Sequence, residues 1–309
     1  MSIITLTMNP AVDKSSRVDH VLAERKLRCQ PPLYEPGGGG INVSRAIRNL
    51  GGDSLAVYPS GGPPGQLFRD LLDNEKINHH SVTAKGWTRQ NLMIYETNSG
   101  QQFRFGMPGP ELSRDEWQAC LERILEQDAT PEFIIASGSL PPGVPDDFYG
   151  TLARRCREKN ISLILDTSKQ PLCAAVESGV FLIKPNLNEL HTLAGRRLEN
   201  ETEQEALARR LVEQKKSRYV VVSLGAAGVL AVSEQGARRL RAPTVPIKSK
   251  VGAGDSTVAG MILKLAEGWP FMDAVRYGVA AGAAAVMTPG SELCRRSDTE
   301  SLYRQVSED

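Results

Sequence analysis

The segment KVGAGDSTVAG, residues 250–260, places a carboxylate directly behind a turn of small residues. Gly252 and Gly254 flank Ala253, and Asp255 follows where a helix is predicted to begin. Asp is a favoured helix N-cap, but a cap does not require two glycines, which allow a tight bend or the close approach of a ligand. The amides of a helix N-terminus also bind anions. The motif therefore predicts either a capped structural helix or a phosphate site with Asp255 as a base.

A second segment, KPNLNEL at residues 184–190, combines a lysine with an amide and a carboxylate. Asn186 and Glu189 are three residues apart, so they share one face of a helical turn. Their oxygens suit Mg²⁺, which often bridges to phosphates, and Lys184 is a candidate phosphate partner. The alternative is a helix start, with Asn186 as cap and Glu189 as its capping-box partner.

A third segment, PGGGGINVSRAI, opens a predicted helix with four glycines at residues 37–40. It matches neither the P-loop nor the dinucleotide-binding fingerprint. The glycines predict a close-approach loop or a hinge, with an ordinary flexible loop as the alternative.

Short apolar strands alternate with helical patterns along most of the chain. This alternation predicts an α/β fold with a mostly parallel sheet flanked by helices on both faces. Ligands on such sheets bind beyond the carboxyl ends of the strands. Asp13, Asn186 and Gly225 each follow a predicted strand, so they are expected near the site.

Two segments break the alternation, at residues 11–35 and 89–106. The second reads as a β-hairpin with a turn at Asn98–Gly100. Together they predict a small separate sheet that covers the site as a lid and contacts a second copy of the chain, because an apolar sheet face needs a cover.

Three arginines, Arg28, Arg89 and Arg104, fall in these lid segments. Arginine binds phosphate through a bidentate fork, so they suit a substrate that carries its own phosphate. The alternative is a set of solvated strand charges, and this is the favoured interpretation for Arg104.

Composition narrows the function classes. The chain has 309 residues and a formal net charge of +1, which does not favour nucleic acid or an anionic membrane as a partner. Its five cysteines contain no C-x-x-C pair, and its four histidines have no metal-ligand spacing. No signal-like leader or membrane-spanning stretch is recognised, so a cytoplasmic location is expected.

Taken in their order along the chain, the three motifs resemble those of the ribokinase-like PfkB family of sugar kinases. GGGGINVSRAI and VGAGDSTVAG correspond to the two glycine signatures of that family, and KPNLNE corresponds to its N-x-x-E magnesium motif. The resemblance covers essentially the whole chain. It implies a ribokinase-like fold with an α/β core at residues 1–10, 36–88 and 107–309, and a β-sheet lid at residues 11–35 and 89–106.

The resemblance also implies roles for individual residues. Asp255 becomes the catalytic base, and the anion hole consists of Gly252, Ala253 and Gly254. The substrate-binding positions are Asp13, Arg28, Gly38, Gly39, Asn42, Arg89 and Ser139. The ATP-binding positions are Lys184, Asn186, Ser223, Gly225, Val279 and Gly282. Asn186 and Glu189 are the Mg²⁺ positions, with water between protein and metal.

Members of this family often use a monovalent cation. The corresponding positions, which predict a K⁺ site, are Ser249, Val251, Ala285, Thr288, Gly290 and Glu292. Glu292 stands where a basic residue is expected.

Within the family, TLTMNPAVD resembles the branch that phosphorylates phosphosugars. Gly39 stands where the kinases of fructose 1-phosphate and tagatose 6-phosphate usually carry a lysine. The resemblance therefore implies that ATP phosphorylates the C1 hydroxyl of fructose 6-phosphate, with those two sugars as alternatives. A non-catalytic sugar-phosphate-binding regulator is the alternative of another class, and the presence of Asp255, Asn186 and Glu189 argues against it.

Overall fold

The structure is a computed structural model that describes residues 2–127 and 129–308. The strands are β1 Ile3–Leu6, β2 Ala11–Val18, β3 Leu33–Gly37, β4 Leu55–Ser60, β5 His79–Thr83, β6 Arg89–Glu96, β7 Gln102–Phe105, β8 Phe133–Ser137, β9 Ser162–Asp166, β10 Val180–Ile183, β11 Ser217–Ser223, β12 Val229–Ser233, β13 Gly236–Arg241 and β14 Ser307–Glu308. The helices are α1 Gly39–Asn49, α2 Gly62–Asn74, α3 Arg114–Leu125, α4 Phe148–Glu158, α5 Lys169–Ser178, α6 Leu187–Ala194, α7 Glu201–Glu213, α8 Ala253–Ala266, α9 Phe271–Val286 and α10 Arg296–Tyr303.

One large sheet runs in the order β14-β13-β12-β11-β10-β9-β8-β1-β4-β5. The strands from β11 to β5 are parallel, and β12, β13 and β14 extend the sheet antiparallel. The central strands β1 and β8 are buried at every residue, as expected for a sheet that is covered on both faces. The predicted mostly parallel α/β sheet is confirmed.

Helices α8 and α9 pack closely against each other. Their contact is lined by small residues, and a side chain at Gly278 would lie 2.6 Å from the carbonyl oxygen of Thr257. At Gly260 it would lie 2.9 Å from Ala281. Because these glycines let the two backbones approach closely, α8 is held firmly against the core with its first turn at the carboxyl edge of the sheet.

A second sheet of four strands, in the order β3-β2-β6-β7, forms the lid sheet. The hairpin predicted at residues 89–106 is present as β6 and β7, which pair antiparallel. β2 pairs antiparallel with β3 and parallel with β6, so Asp13 lies opposite both Glu35 and Asn91. Residues opposite one another share a face of a sheet, which places these three polar side chains in one row. The division into core and lid domains stays a prediction, and its outermost residues, Met1 and Asp309, lie outside the described residues.

Within residues 2–127 and 129–308, no helix is both long and apolar enough to cross a membrane. The five cysteines are free thiols, and Cys120, Cys156 and Cys294 are buried.

Candidate active site

The first turn of α8 forms one wall of the site. The helix begins at Ala253 with Gly252 as its N-cap residue, and Asp255 is its third residue. Gly252 and not Asp255 occupies the N-cap position, so the N-cap interpretation of this carboxylate is wrong. The first amides of a helix have no acceptor inside it, and Ala253 and Gly254 leave theirs uncovered by side chains. This turn can therefore hold an anion beside the Asp255 carboxylate.

Gly252 is required by the geometry of the turn. Its φ of +75° lies in the left-handed region, and a side chain there would meet Leu293 at 2.2 Å. Gly254 has a different constraint, because a Cβ there would lie 3.4 Å from the Lys184 ammonium nitrogen. The turn therefore brings a lysine charge directly to the predicted anion hole.

Asn42 reaches Asp255 from the glycine-rich motif. Its Nδ2 donates a hydrogen bond of 2.9 Å to Asp255 Oδ2, joining α1 to α8 across the site. Asn42 is 8% exposed, and its Oδ1 has no partner among the described residues. A buried amide oxygen without a partner is costly, so this atom is available to accept a hydrogen bond from a ligand hydroxyl.

The Asp255 carboxyl is tuned towards neutral pH. Burial, followed by the Asp166 charge, raises its pKa to about 7, against the opposing effects of Asn42 and Lys184. A base with a pKa near the operating pH is well suited to remove a proton from a hydroxyl group.

Lys184 and Asp166 form an ion pair next to Asp255. The Lys184 Nζ lies 3.2 Å from Asp166 Oδ2, and both side chains are largely buried. Burial would lower the pKa of Lys184, but the Asp166 carboxylate reverses this effect and raises it. Lys184 therefore stays charged and stabilises negative charge at the start of α8.

Asn186 and Glu189 form a capping box at the start of α6. Asn186 Oδ1 accepts from the Glu189 amide at 3.0 Å, and Glu189 Oε2 accepts from the Asn186 amide at 2.9 Å. The structural alternative for this motif is thus present. Burial raises the pKa of Glu189, and the Asp166 charge adds to this rise against the Asn186 hydrogen bonds and Lys184. The role of the pair at a metal stays a prediction.

The predicted ATP positions fall into two groups. Ser223 lies at the end of β11 and forms an isolated parallel β-bridge with Asn186. Gly225 follows with a φ of +64°. Val279 and Gly282 lie on α9 and are buried in its packing, with Gly282 against Thr257 of α8. The first group is placed next to the capping box, while the second supports α8 from behind.

The glycine loop before α1 packs against the end of β8. A side chain at Gly39 would meet Ser137 at 2.2 Å, and Gly38 has a φ of +119°. Ser139 lies beyond the same strand and accepts a hydrogen bond of 3.2 Å from the Asn9 side chain. Because α1, β1 and β8 converge here, the loop, Ser139 and Asn42 lie at one edge of the sheet.

A cavity between the lid sheet and the core lies next to these residues. Its lining includes Asp13, Asn91 and Arg104 from the lid, and Val251 and Ser291 from the core. Asn91 donates a hydrogen bond of 2.8 Å to Asp13 Oδ1. The cavity has acidic and basic groups, as a pocket for a sugar phosphate requires.

Burial raises the pKa of Asp13, and the opposing charges are those of Arg89, Arg104 and Arg45. Arg104, interpreted from the sequence as a solvated strand charge, is exposed but also lines the cavity. Its exposure agrees with the solvated interpretation, and register places it opposite Met93, on the Asp13 face of the sheet.

The other two predicted arginines are placed differently. Arg89 donates to the carbonyls of Asn9 at 2.9 Å and Met107 at 3.1 Å, so it joins the lid to the core, and its Nε has no partner among the described residues. Arg28 lies on the exposed connection between β2 and β3, and the structure does not bring it to the other site residues.

The predicted K⁺ positions come together behind the start of α8. Ser249 Oγ donates to the Gly290 carbonyl at 2.8 Å, and Thr288 Oγ1 donates to the Ala285 carbonyl at 2.8 Å. The backbone N–H of Val251 donates a hydrogen bond to Ser249 Oγ at 3.1 Å. Glu292 differs, because its side chain pairs with exposed Arg295 at 2.8 Å and its carbonyl accepts from exposed Asn49 at 3.2 Å.

Sequence reasoning missed Asp166 and Glu35. Asp166 ends the buried strand β9, and its position beyond a strand was the available signal. Glu35 is 8% exposed and lines the lid cavity opposite Asp13. No local pattern distinguished it.

Comparison with known proteins places the chain in a family. The sequence profile described as pfkB family carbohydrate kinase matches residues 3–298. The chain is 42% identical over 306 residues to the ATP-dependent 6-phosphofructokinase isozyme 2 of Escherichia coli K12, covering 99% of each chain. It is also 42% identical over 306 residues to the isozyme of the same name from Mycobacterium tuberculosis, covering 99% of this chain and 90% of the relative. The 1-phosphofructokinase of Bacillus subtilis is 30% identical over 304 residues, covering 98% of both.

Solved structures agree with this placement. Escherichia coli phosphofructokinase-2 in complex with fructose-6-phosphate superposes with a TM-score of 0.93 at 41% identity, covering 98% of both chains. The same enzyme in complex with potassium superposes with a TM-score of 0.94 at 42% identity, covering 98% of both chains. A tetrameric inhibited form of that enzyme gives a TM-score of 0.93 at 41% identity over 98% of both chains. The predicted ribokinase-like fold is confirmed, and this chain belongs to the pfkB family of carbohydrate kinases.

Proposed function

We propose that the chain transfers the γ-phosphoryl group of ATP to the C1 hydroxyl of fructose 6-phosphate, giving fructose 1,6-bisphosphate and ADP. The observation that carries this proposal is the Asp255 carboxyl, which has a pKa of about 7 and lies beside the open amides of α8 and the Lys184 charge. The identity of 42% to 6-phosphofructokinases supports the choice of sugar.

The reaction step follows from these groups. Asp255 accepts the proton of the sugar hydroxyl while the hydroxyl oxygen forms a bond to the γ-phosphorus. The bond from that phosphorus to the bridging oxygen of ADP breaks, and ADP leaves with the electron pair. The amides of Ala253 and Gly254, together with Lys184, stabilise the charge on the transferring group. Asn42 orients the carboxylate of Asp255.

The acidic side chains around Lys184 fit a divalent cation held through water. Asp166 Oδ2 lies 3.2 Å from Lys184 Nζ, and the charges of Asp166, Asp255 and Glu189 all raise the pKa of Lys184, so three carboxylates act on one lysine. Mg²⁺, when bound, would neutralise nucleotide phosphate charge at this place. Asp166 and Glu189 are the groups that we propose to hold its water shell, with Asn186 fixing Glu189.

A site for K⁺ is also proposed. The hydroxyl of Ser249 pairs with the carbonyl of Gly290, and the hydroxyl of Thr288 pairs with the carbonyl of Ala285. Such oxygen atoms are suitable ligands for a monovalent cation. The potassium complex of a relative supports the proposal. The site borders Val251 at the start of α8, where the cation would add positive charge to the anion hole.

The lid supports a substrate that already carries a phosphate. Arg104 lines the Asp13 cavity, and the Arg89 charge acts on the Asp13 carboxyl. Fructose 1-phosphate and tagatose 6-phosphate remain the alternatives. The proposed product, fructose 1,6-bisphosphate, fits a role in glycolysis. The cytoplasmic location stays a prediction.

A substrate panel tests the proposal. ADP release is measured with Mg-ATP and each of fructose 6-phosphate, fructose 1-phosphate and tagatose 6-phosphate. We expect the highest kcat/KM for fructose 6-phosphate; a wide margin for either other sugar contradicts the assigned substrate. Tight sugar-phosphate binding in calorimetry without turnover would support the regulator instead.

Asp255→Asn tests the base directly. The amide cannot accept the proton, so kcat should fall by roughly 10²–10⁴-fold with nucleotide affinity nearly unchanged. A small effect on kcat would exclude Asp255 as the base.

We also propose that the lid sheets of two chains meet in a homodimer. Exposed apolar side chains on lid strands, Leu33 at 58%, Tyr95 at 39% and Phe105 at 47%, need a cover.

A further inference from the structure

Arg45 lies at the centre of a buried polar cluster outside the reacting groups. It belongs to α1, three residues after Asn42, and is 6% exposed. Burying a guanidinium group is costly unless its charge and its N–H groups have partners. The identity of these partners indicates what Arg45 does.

One side of the guanidinium is anchored in the core. Arg45 Nε donates to Glu75 Oε2 at 2.6 Å and Nη2 donates to Glu75 Oε1 at 2.8 Å, which is a bidentate pair. Glu75 is the C-cap residue of α2. This anchor fixes the plane of the guanidinium.

The other side faces two segments that border the lid cavity. Arg45 Nη1 donates to the Ser291 carbonyl at 3.1 Å and lies 3.3 Å from the Pro36 carbonyl. Nη2 lies 3.7 Å from Glu35 Oε1. Glu35 and Pro36 are the two residues before the last residue of the lid strand β3, and Ser291 belongs to the loop at residues 288–293.

These contacts define opposite walls of the same cavity. Glu35 and Ser291 both line it. A Cβ at Gly290 would lie 3.5 Å from Glu35 Oε2, so the carboxylate lies beside the backbone of the loop. Ser291 Oγ is buried and has no hydrogen-bond partner among the described residues.

We propose that Arg45 is a positioning residue that ties the root of the lid to the 288–293 loop, so that both walls of the phosphosugar pocket keep one spacing. This inference rests on the proposed function for the identity of the ligand. Lysine retains the charge at this position, but it cannot form the planar fork that contacts Glu75, Glu35 and two carbonyls together.

The test variant is Arg45→Lys. We expect KM for fructose 6-phosphate to rise about tenfold, equivalent to ~1.4 kcal/mol, with KM for ATP within about twofold of the unaltered chain. A purely structural role would change stability without this separation of the two KM values. The matched control is Arg48→Lys on the same helix, because Arg48 is exposed and makes a long ion pair of 4.0 Å with Asp53. This variant should change neither the KM for fructose 6-phosphate nor the KM for ATP.

Glu35→Gln provides a second variant that keeps the Arg45 hydrogen bonds to the two carbonyls. If Glu35 and Arg45 act in one network, the effects of Glu35→Gln and Arg45→Lys on the KM for the sugar should be non-additive in a double-mutant cycle. Additive effects, or an equal rise of both KM values, would overturn the proposal.

Hydrogen exchange distinguishes failure of the inference from failure of the proposed function. In Arg45→Lys, the amides of β3 and of the 288–293 loop should exchange faster together, whereas Arg48→Lys should leave both unchanged. If the unaltered chain phosphorylates no phosphosugar, the function proposal fails and this exchange result decides the inference. Unchanged exchange in both segments rejects the positioning role.

Discussion

Asp255 holds a carboxyl group whose ionisation is opposed by burial and by the Asp166 charge. The same residue is held in place by Asn42 and faces the charge of Lys184. Each of these neighbours changes either the position of the carboxylate or the pH at which it accepts a proton. Two predictions at the residue scale follow from this environment.

The acid limb of the rate profile should report Asp255. With a pKa of about 7, kcat/KM for the sugar should fall below that pH, because the protonated carboxyl cannot accept the hydroxyl proton. Asp166→Asn removes a charge that raises this pKa, so it should move the acid limb to lower pH. Substrate phosphates also titrate near pH ~6, but their contribution is identical for both proteins. An unmoved limb in Asp166→Asn would assign the titration to another group.

The same pKa shift should lower the stability of the folded chain at neutral pH. The pKa of Asp255 is raised from 3.8 to about 7, so the folded state disfavours the charged form, and the cost grows as pH rises through this window. Asp255→Asn should therefore stabilise the protein by ~1–3 kcal/mol at pH values above the raised pKa, and the gain should vanish towards the unfolded pKa. Urea unfolding across this window measures it; a gain that is independent of pH would contradict the prediction.

At the scale of elements, the start of α8 depends on one backbone conformation. Gly252→Ala would place a Cβ against Leu293 at a φ of +75°. We expect a loss of stability of roughly 1–3 kcal/mol and a fall in kcat of at least about tenfold, because the first amides of the helix would shift away from the transferring group.

Gly268→Ala is the matched control at the other end of α8. Gly268 has a φ of +84°, but apart from its chain neighbours no atom of the described residues lies within 4 Å of its Cβ position. It should lose stability through the backbone alone and keep its kcat. Equal kcat values for Gly252→Ala and the unaltered chain would show that the turn has only an architectural role.

At the scale of the whole molecule, the lid sheet should govern assembly. Leu33→Glu places a charge on an apolar lid side chain that is 58% exposed, and it should convert a dimer to a monomer in light scattering. Ile247→Glu is the control, because Ile247 is 64% exposed but lies outside the lid segments. A tetrameric inhibited form is known for a relative, so the measured mass should distinguish monomer, dimer and tetramer. A dimer that persists in Leu33→Glu contradicts a lid interface.

The sequence by itself determined the fold class and supplied the candidates for the reacting groups. Apolar strands alternating with helices have few stable arrangements other than a covered parallel sheet. Local chemistry marked the GAGD segment as either a capped helix or a phosphate site, because glycine conformation and helix-end amides depend on residues close in sequence. For the same reason, the capping box of Asn186 and Glu189 was predictable. The resemblance to a kinase family was needed to assign Asp255 its role.

Only the tertiary structure decided which distant residues meet. The bond from Asn42 to Asp255 joins residues 213 apart, and the bond from Arg45 to Ser291 joins residues 246 apart. It also showed that Asp255 does not cap its helix, that Asp166 pairs with Lys184, and that Arg104 lines a cavity. Periodicity specifies the face on which a side chain lies, but the neighbour opposite that face depends on strand order and helix packing, which no local pattern encodes.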